Sequence, residues 1–309
     1  MQRAFQMKYS VYRIKTYDKI EQLGTKEKFW FYDKATKDLL LCKIGRPGTG
    51  ENWAEKITCE IANILSIPCA TYDFAVWEKK ECVISKSFVP EHSQLIHGNE
   101  LLAKLVDQNY PSVQRYKVIE YTISTIKDLF SKEYSLIDLP IGYKENDFIK
   151  TPGDMFIAYL MFDCLVANQD RHHENWGFIM DNKNQKLYLA PTYDHASGLG
   201  CRVSEKERVD RLKTHDKRYN INAFAKKAKT PIYGNNSKRL TTLDAFIQIS
   251  NMNKVSTDYW LEKISLLSEE SLRLIFDKVP RKIISCAAID FAVSLVLENR
   301  NRLLSKRER

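Results

Sequence analysis

The stretch Leu165-Val-Ala-Asn-Gln-Asp-Arg-His-His-Glu-Asn-Trp-Gly-Phe-Ile179, followed after a polar turn by Leu187-Tyr-Leu-Ala-Pro-Thr-Tyr-Asp-His-Ala-Ser-Gly198, packs a polar cluster between two apolar runs. A helix ending near Ala167, a loop holding Asp170, His172 and Asn175, and a hairpin delivering Asp194 bring two carboxylates and an amide together from neighbouring loops. That set suits a magnesium nucleotide. Mg²⁺ takes hard oxygen ligands, often one or two from the protein with water and phosphates completing the shell, and Asn175 and Asp194 are of that type. Asp170 is then placed to face an acceptor hydroxyl and take its proton. Singly, each of the three is an ordinary turn or cap residue. Together, with apolar runs holding both loops, they point to a site. Zinc on His172, His173 and His195 is the other chemistry available, but adjacent histidines in an extended loop point opposite ways.

Working outward, the chain before this stretch changes character once. Phe29–Tyr32, Leu39–Ile44, Tyr72–Trp77 and Cys82–Phe88 are short, apolar and aromatic, and are separated by charged turns, which predicts a small antiparallel sheet. Between them, Ile57, Ile61, Ile64 and Leu65 repeat at helical spacing over 52–66 and stop at Pro68. From about residue 97 the pattern predicts helices over 99–107, 112–130, 152–167, 241–251, 257–265, 268–277 and 280–305, with a strand pair near 176–180 and 186–190. Two units follow: a β-rich lobe over 1–92 and a helical lobe over 93–309. A length of 309 residues accommodates both.

Composition narrows the class. With 44% hydrophobic residues the chain folds rather than staying disordered, and 48 Lys+Arg against 39 Asp+Glu give a net charge of +9 that favours anionic partners. Residues 202–229 alone hold ten Lys/Arg and four Asp/Glu, with few apolar anchors, and are expected to form a solvated, mobile loop. Seven scattered cysteines without a C-x-x-C pair suggest neither a disulfide framework nor a cysteine zinc site. The charged first thirty residues do not make a signal peptide, and the longest apolar segment, Met155 to Ala167, is interrupted by Asp163 and falls short of the roughly 20 residues that span a bilayer. A cytoplasmic protein without a membrane span is expected.

Asn168-x-Asp170-x-His172-x-x-Asn175 followed by Asp194 resembles the catalytic loop and metal-binding aspartate of the HipA-type protein kinases, and Asp170-Arg-His-x-x-Asn175 also resembles the phosphoinositide 3/4-kinase group. The resemblance implies an α+β, two-lobed protein kinase-like fold and a Ser/Thr protein kinase using ATP and Mg²⁺. In it Asp170 is the catalytic base, Asn175 and Asp194 are the metal ligands, and His172 braces the loop. As in that family, Asp194-His-Ala lacks the Phe-Gly of common eukaryotic kinases.

A kinase also needs a lysine for phosphates and a carboxylate to hold it. Lys43, after the strand residues Leu39–Cys42, and Glu55 on the helix 52–66 resemble that pair; Glu60, about 500° further round the helix, is the rival partner. Gly24 and Thr25 lie where the family has a phosphate-covering loop, which in some members carries regulatory autophosphorylation. Ser85–Pro90 is where a hinge would meet adenine. The resemblance runs from about Gly24 to the final helix with Asn299-x-Asn-Arg-Leu303, and is closest to shorter HipA-like kinases lacking the toxins' extra amino-terminal subdomain. It implies a protein substrate and an antitoxin partner, with no direct nucleic-acid contact. A lipid kinase drawn to anionic headgroups by 202–229, and a pseudokinase or regulatory binding module with a basic surface, are the alternatives.

Overall fold

The computed structural model describes residues 8–20, 26–132 and 137–307. The first sheet has six strands, β1 (Val11–Arg13), β2 (Lys19–Ile20), β3 (Lys28–Tyr32), β4 (Leu39–Ile44), β5 (Asp73–Trp77) and β6 (Lys80–Lys86), in the order β1-β5-β6-β4-β3-β2, with helix α1 (Glu51–Leu65) between β4 and β5. It is antiparallel except at one edge, where β1 pairs parallel to β5 through Val11 and Phe74; the sequence did not announce β1 or β2, which are too short to show a period. Phe29, Phe31, Cys42, Trp77 and Ile84 alternate onto one face and form a small core of their own. α1 buries Trp53, Ala54, Ile57, Ile61 and Leu65 in the main core, whereas Ile64 is left outward, and it stops at Ser66, which takes a left-handed φ of 60°.

The second sheet begins with β7 (Ser93–His97). A short helix α2 (Gly98–Leu101), a π-helical turn (Leu102–Val106) and α3 (Ile123–Lys132) follow, then β8 (Ile137–Asp138), α4 (Pro152–Leu165), β9 (Gly177–Asp181) and β10 (Lys186–Leu189). The strand pair expected near 176–190 is thus the centre of a four-stranded sheet ordered β7-β9-β10-β8. The helix expected over 112–130 starts only at Ile123, because the Thr122 hydroxyl caps it by accepting from the Thr125 N–H; residues 112–122 form turns instead.

α4 carries the site. Thr151 and Asp154 make a reciprocal capping box around Pro152, and every residue of the helix is buried, which is what a helix apolar on all sides requires. The remaining elements are α5 (Glu205–Lys213), α6 (Ile221–Lys227), β11 (Lys229–Tyr233), β12 (Arg239–Thr241), α7 (Thr242–Ser250), α8 (Lys254–Ser265), α9 (Glu269–Asp277) and α10 (Cys286–Leu304). The expectation of a mobile loop over 202–229 is corrected. Two short helices occupy it, capped by Ser204 and Asn220 and packed on α10 through Leu212, Phe224 and Ala225. Their extra anchors are arginines: Arg208 and Arg211 are buried, with Arg211 over the rings of Tyr219 and Phe224 at 4.1 and 5.1 Å. Among the described residues no helix is long and apolar enough to cross a membrane.

Candidate active site

Lys43 stands at the centre. It sits on β4, opposite Lys28 of β3 and Val83 of β6, and its side chain is buried. Its Nζ donates to Glu55 Oε1 at 3.2 Å, Asp194 Oδ1 at 3.2 Å and the Tyr72 hydroxyl at 3.4 Å. Burial alone would pull the ammonium's pKa down; Asp194 and Glu55 outweigh it and hold it well above the ordinary lysine value. Burial likewise pushes the Asp194 carboxyl up, but Lys43 and Lys28 prevail and keep it ionised, well below the usual range. The other oxygen of Glu55 accepts from the backbone N–H of His195 at 2.9 Å, so one carboxylate holds both the lysine and the backbone beside Asp194. Glu60 faces elsewhere and pairs with Lys56 at 2.7 Å. Asp194 itself has a left-handed φ of 60°, a conformation fixed by the Tyr72 hydroxyl accepting from its N–H at 3.2 Å.

The loop after α4 is built as tightly. Asn175 Nδ2 donates to the Asp170 carbonyl at 2.7 Å, which leaves its Oδ1 as an oxygen ligand atom. Asp170 is half-buried, and burial together with the Asp194 charge raises its pKa above the ordinary aspartate value. His172 is buried, and Arg115 Nη2 donates to its Nε2 at 2.9 Å; desolvation and that guanidinium push its pKa down to about 3, so it is neutral. Its bond to Arg115 ties the loop to the turn segment before α3. His173 bonds the Tyr110 hydroxyl at 2.7 Å, and His195 Nε2 lies 2.9 Å from Arg171 and 3.0 Å from Thr192. The three histidines have separate structural partners, and no metal-binding cluster of His, Cys, Asp or Glu occurs among the described residues.

Arg171 is a residue whose role the sequence reading missed. Its guanidinium is fully buried, grips Asp163 of α4 through Nε at 2.7 Å and Nη2 at 2.8 Å, and also donates to the Asn175 carbonyl at 2.6 Å and the Thr192 hydroxyl at 2.8 Å. It ties helix, loop and the Asp194 turn together. The signal was the charge of Asp163 interrupting an apolar helix, which demands a buried partner. Asn168 adds a second tie, bonding Asp163 at 2.8 Å and Ser197 at 2.5 Å.

Around Asp170 and Asp194 the pocket is lined by Lys26, Lys28, Arg46, Arg115 and Arg202. Lys26, Arg46 and Arg202 all converge on buried Glu51, at 3.1, 2.7 and 2.9 Å. Phe88, in the expected hinge segment, stacks on Tyr193, the residue before Asp194, with ring centroids 5.5 Å apart. Gly24 and Thr25 lie outside the described residues.

The comparisons with known proteins agree with this arrangement of elements. Residues 21–248 match the model of the HipA-like C-terminal domain. Over 153 residues the chain is 23% identical to the serine/threonine-protein kinase CtkA of Helicobacter pylori; the match takes in 48% of this chain and only 40% of that relative's length. The crystal structure of a Helicobacter pylori proinflammatory kinase CtkA superposes with a TM-score of 0.71 at 18% identity, covering 97% of this chain and 98% of that one. HipA of Shewanella oneidensis MR-1, from a toxin–antitoxin complex with HipB and operator DNA, gives a TM-score of 0.51 at 12% identity, covering 94% of this chain and 67% of that one. The fold is the α+β fold of these kinase-like structures.

Proposed function

We propose that this chain, which belongs to the HipA-like C-terminal domain family, is a Ser/Thr protein kinase that transfers the γ-phosphoryl group of Mg-ATP to a protein hydroxyl. The observation that carries the reading is the buried Lys43, held by Glu55 and Asp194 at 3.2 Å each, in a cleft where Asp170 and Asn175 sit on the facing loop. The donor set fits the group: Asp194, held ionised, and Asn175 offer hard oxygens, and five cations line the same pocket for phosphate oxygens. When bound, magnesium would neutralise charge on the phosphates.

The protein's own residues supply the rest. Lys43, oriented by Glu55, presents its ammonium to phosphate oxygens. Asp170, with its raised pKa, accepts the proton of the acceptor hydroxyl. The bonds from Arg171 and Asn175 fix the loop so that little reorganisation is left for the transfer itself. Gly24 and Thr25 belong to the same proposal as the segment covering the phosphates.

Purified wild type and Asp170→Asn, incubated with Mg-ATP and a generic protein acceptor and then measured by intact-mass and phosphopeptide spectrometry, test this. Phosphate is expected on wild type and acceptor only, with self-modified Ser or Thr residues located by the same spectra. Undiminished transfer by Asp170→Asn overturns the assignment. The reading also requires a compartment holding ATP, which the cytoplasm supplies. The Shewanella HipA complex makes an antitoxin-type protein the partner to seek by co-purification.

A further inference from the structure

Beside the catalytic pocket a second groove of about 840 Å³ opens at Asp170; it shares Arg46 and Arg202 with that pocket and runs on past Lys117, Tyr233 and Arg239. Four cations line it, Arg46, Lys117, Arg202 and Arg239, together with the rings of Tyr116 and Tyr233. We propose, resting on the kinase reading, that this groove takes an acceptor segment of a protein whose hydroxyl is flanked by acidic residues.

The charge count favours it. The two carboxylates of the lining are Asp170 and Glu207, and Glu207 is already engaged by Arg211 at 2.7 Å. Arg46 and Arg202 both pair with Glu51, as Lys26 does, and the two arginine side chains remain 46% and 51% exposed at the groove. Arg239 is held by carbonyls instead, Nε on Thr230 at 2.9 Å and Nη2 on Lys229 at 3.2 Å; neither it nor Lys117 has a carboxylate partner among the described residues. A guanidinium positioned by carbonyls keeps its charge available and loses less freedom on meeting a carboxylate. The ligand's charge pattern follows from the anion in the middle. Asp170 repels a uniformly charged backbone such as a nucleic acid, whereas a peptide can set a neutral Ser or Thr against Asp170 and place Asp or Glu on the cations either side.

Lys117 and Arg239 line the outer groove alone, while Arg46 and Arg202 also line the catalytic pocket, so the first two separate acceptor from nucleotide effects. The probes are three labelled twelve-residue peptides with a central Ser flanked by Glu, Gln or Lys, titrated into the full chain by fluorescence anisotropy. The Glu peptide is expected to bind about tenfold more tightly than the Gln peptide, less so in high salt, and Lys117→Glu/Arg239→Glu is expected to reverse the order in favour of the Lys peptide. That reversal also shows that the variant is folded. Equal affinities, or a preference untouched by charge reversal, overturn the proposal; an oligonucleotide of matched charge binding more tightly than the Glu peptide reassigns the groove to nucleic acid. With Mg-ATP, the double variant is expected to raise KM for the Glu peptide about tenfold with little change in kcat. Binding of the Glu peptide without transfer to any acceptor by wild type would sink the kinase reading and leave the groove standing.

Discussion

Lys43 has two carboxylate neighbours, buried Glu55 and partly buried Asp194. Replacing it by methionine keeps the volume but leaves Glu55 and Asp194 facing each other, and removing one partner of a buried ionic group costs about 3–5 kcal/mol. Lys43→Met is therefore expected to lose phosphate transfer and several kcal/mol of stability together, the second measurable by urea unfolding; a variant as stable as wild type would contradict the geometry described. At this scale the sequence was informative where residue type and chemistry coincide. Lys43, Glu55, Asp170, Asn175 and Asp194 could be singled out because a phosphate site would need those functional groups, and hydrogen bonds link Lys43 to Glu55 and Asp194 and Asn175 to Asp170. Tyr72 and Arg115 were not legible, because a tyrosine on the way into a strand and an arginine in a turn carry no local sign of the partner each will meet, 122 and 57 residues further on.

Among the elements, α4 and the two loops it supports act as one body because Arg171 stitches them. Arg171→Leu would remove the bonds to Asp163, Asn175 and Thr192 and strand the Asp163 carboxylate inside an apolar helix, an effect on the order of 3–5 kcal/mol. Thermal denaturation is expected to show it as a large fall in Tm, and Arg171→Lys should recover only part, since an ammonium lacks the two-pronged fork. A small effect of Arg171→Leu would mean that the apolar packing of α4 holds the loop unaided. Apolar residues at helical spacing located α1 and the α7–α10 run, and a nearly unbroken apolar segment located α4. Periodicity failed at 202–229, where Arg208 and Arg211 do the anchoring with aliphatic stems and rings beneath their guanidinium groups, and a charge count takes such residues for solvated ones.

Taken whole, the molecule keeps three histidines neutral at its middle. Desolvation pushes His172 to about 3 and His173 to about 4, and drives His195 well below its ordinary value. Each is depressed in the fold, so below pH 6.5 the unfolded chain binds more protons than the native one, and stability present above that pH is lost as pH falls toward the folded values. The loss is on the order of 1 kcal/mol per buried histidine for each pH unit below 6.5. Denaturant midpoints are expected to drop steadily between pH 7 and pH 5, and a flat profile would show that the rings protonate in place. Nothing in the sequence foretold this, because burial of a histidine is set by contacts such as those of Tyr110 and Arg171, which come from remote segments or from the far side of a turn.

Glu51 joins these scales. Burial pushes its carboxyl up, but the cations, Lys26 first, outweigh that and hold it at about 2, so it remains an anion throughout the neutral range. It also stands four residues, one helical turn, before Glu55 on the same face of α1. Glu51 thereby fastens the Arg46 and Arg202 side chains of the pocket wall to the same helix that carries the carboxylate setting Lys43. The cation wall and the lysine's orienting carboxylate thus share one mount.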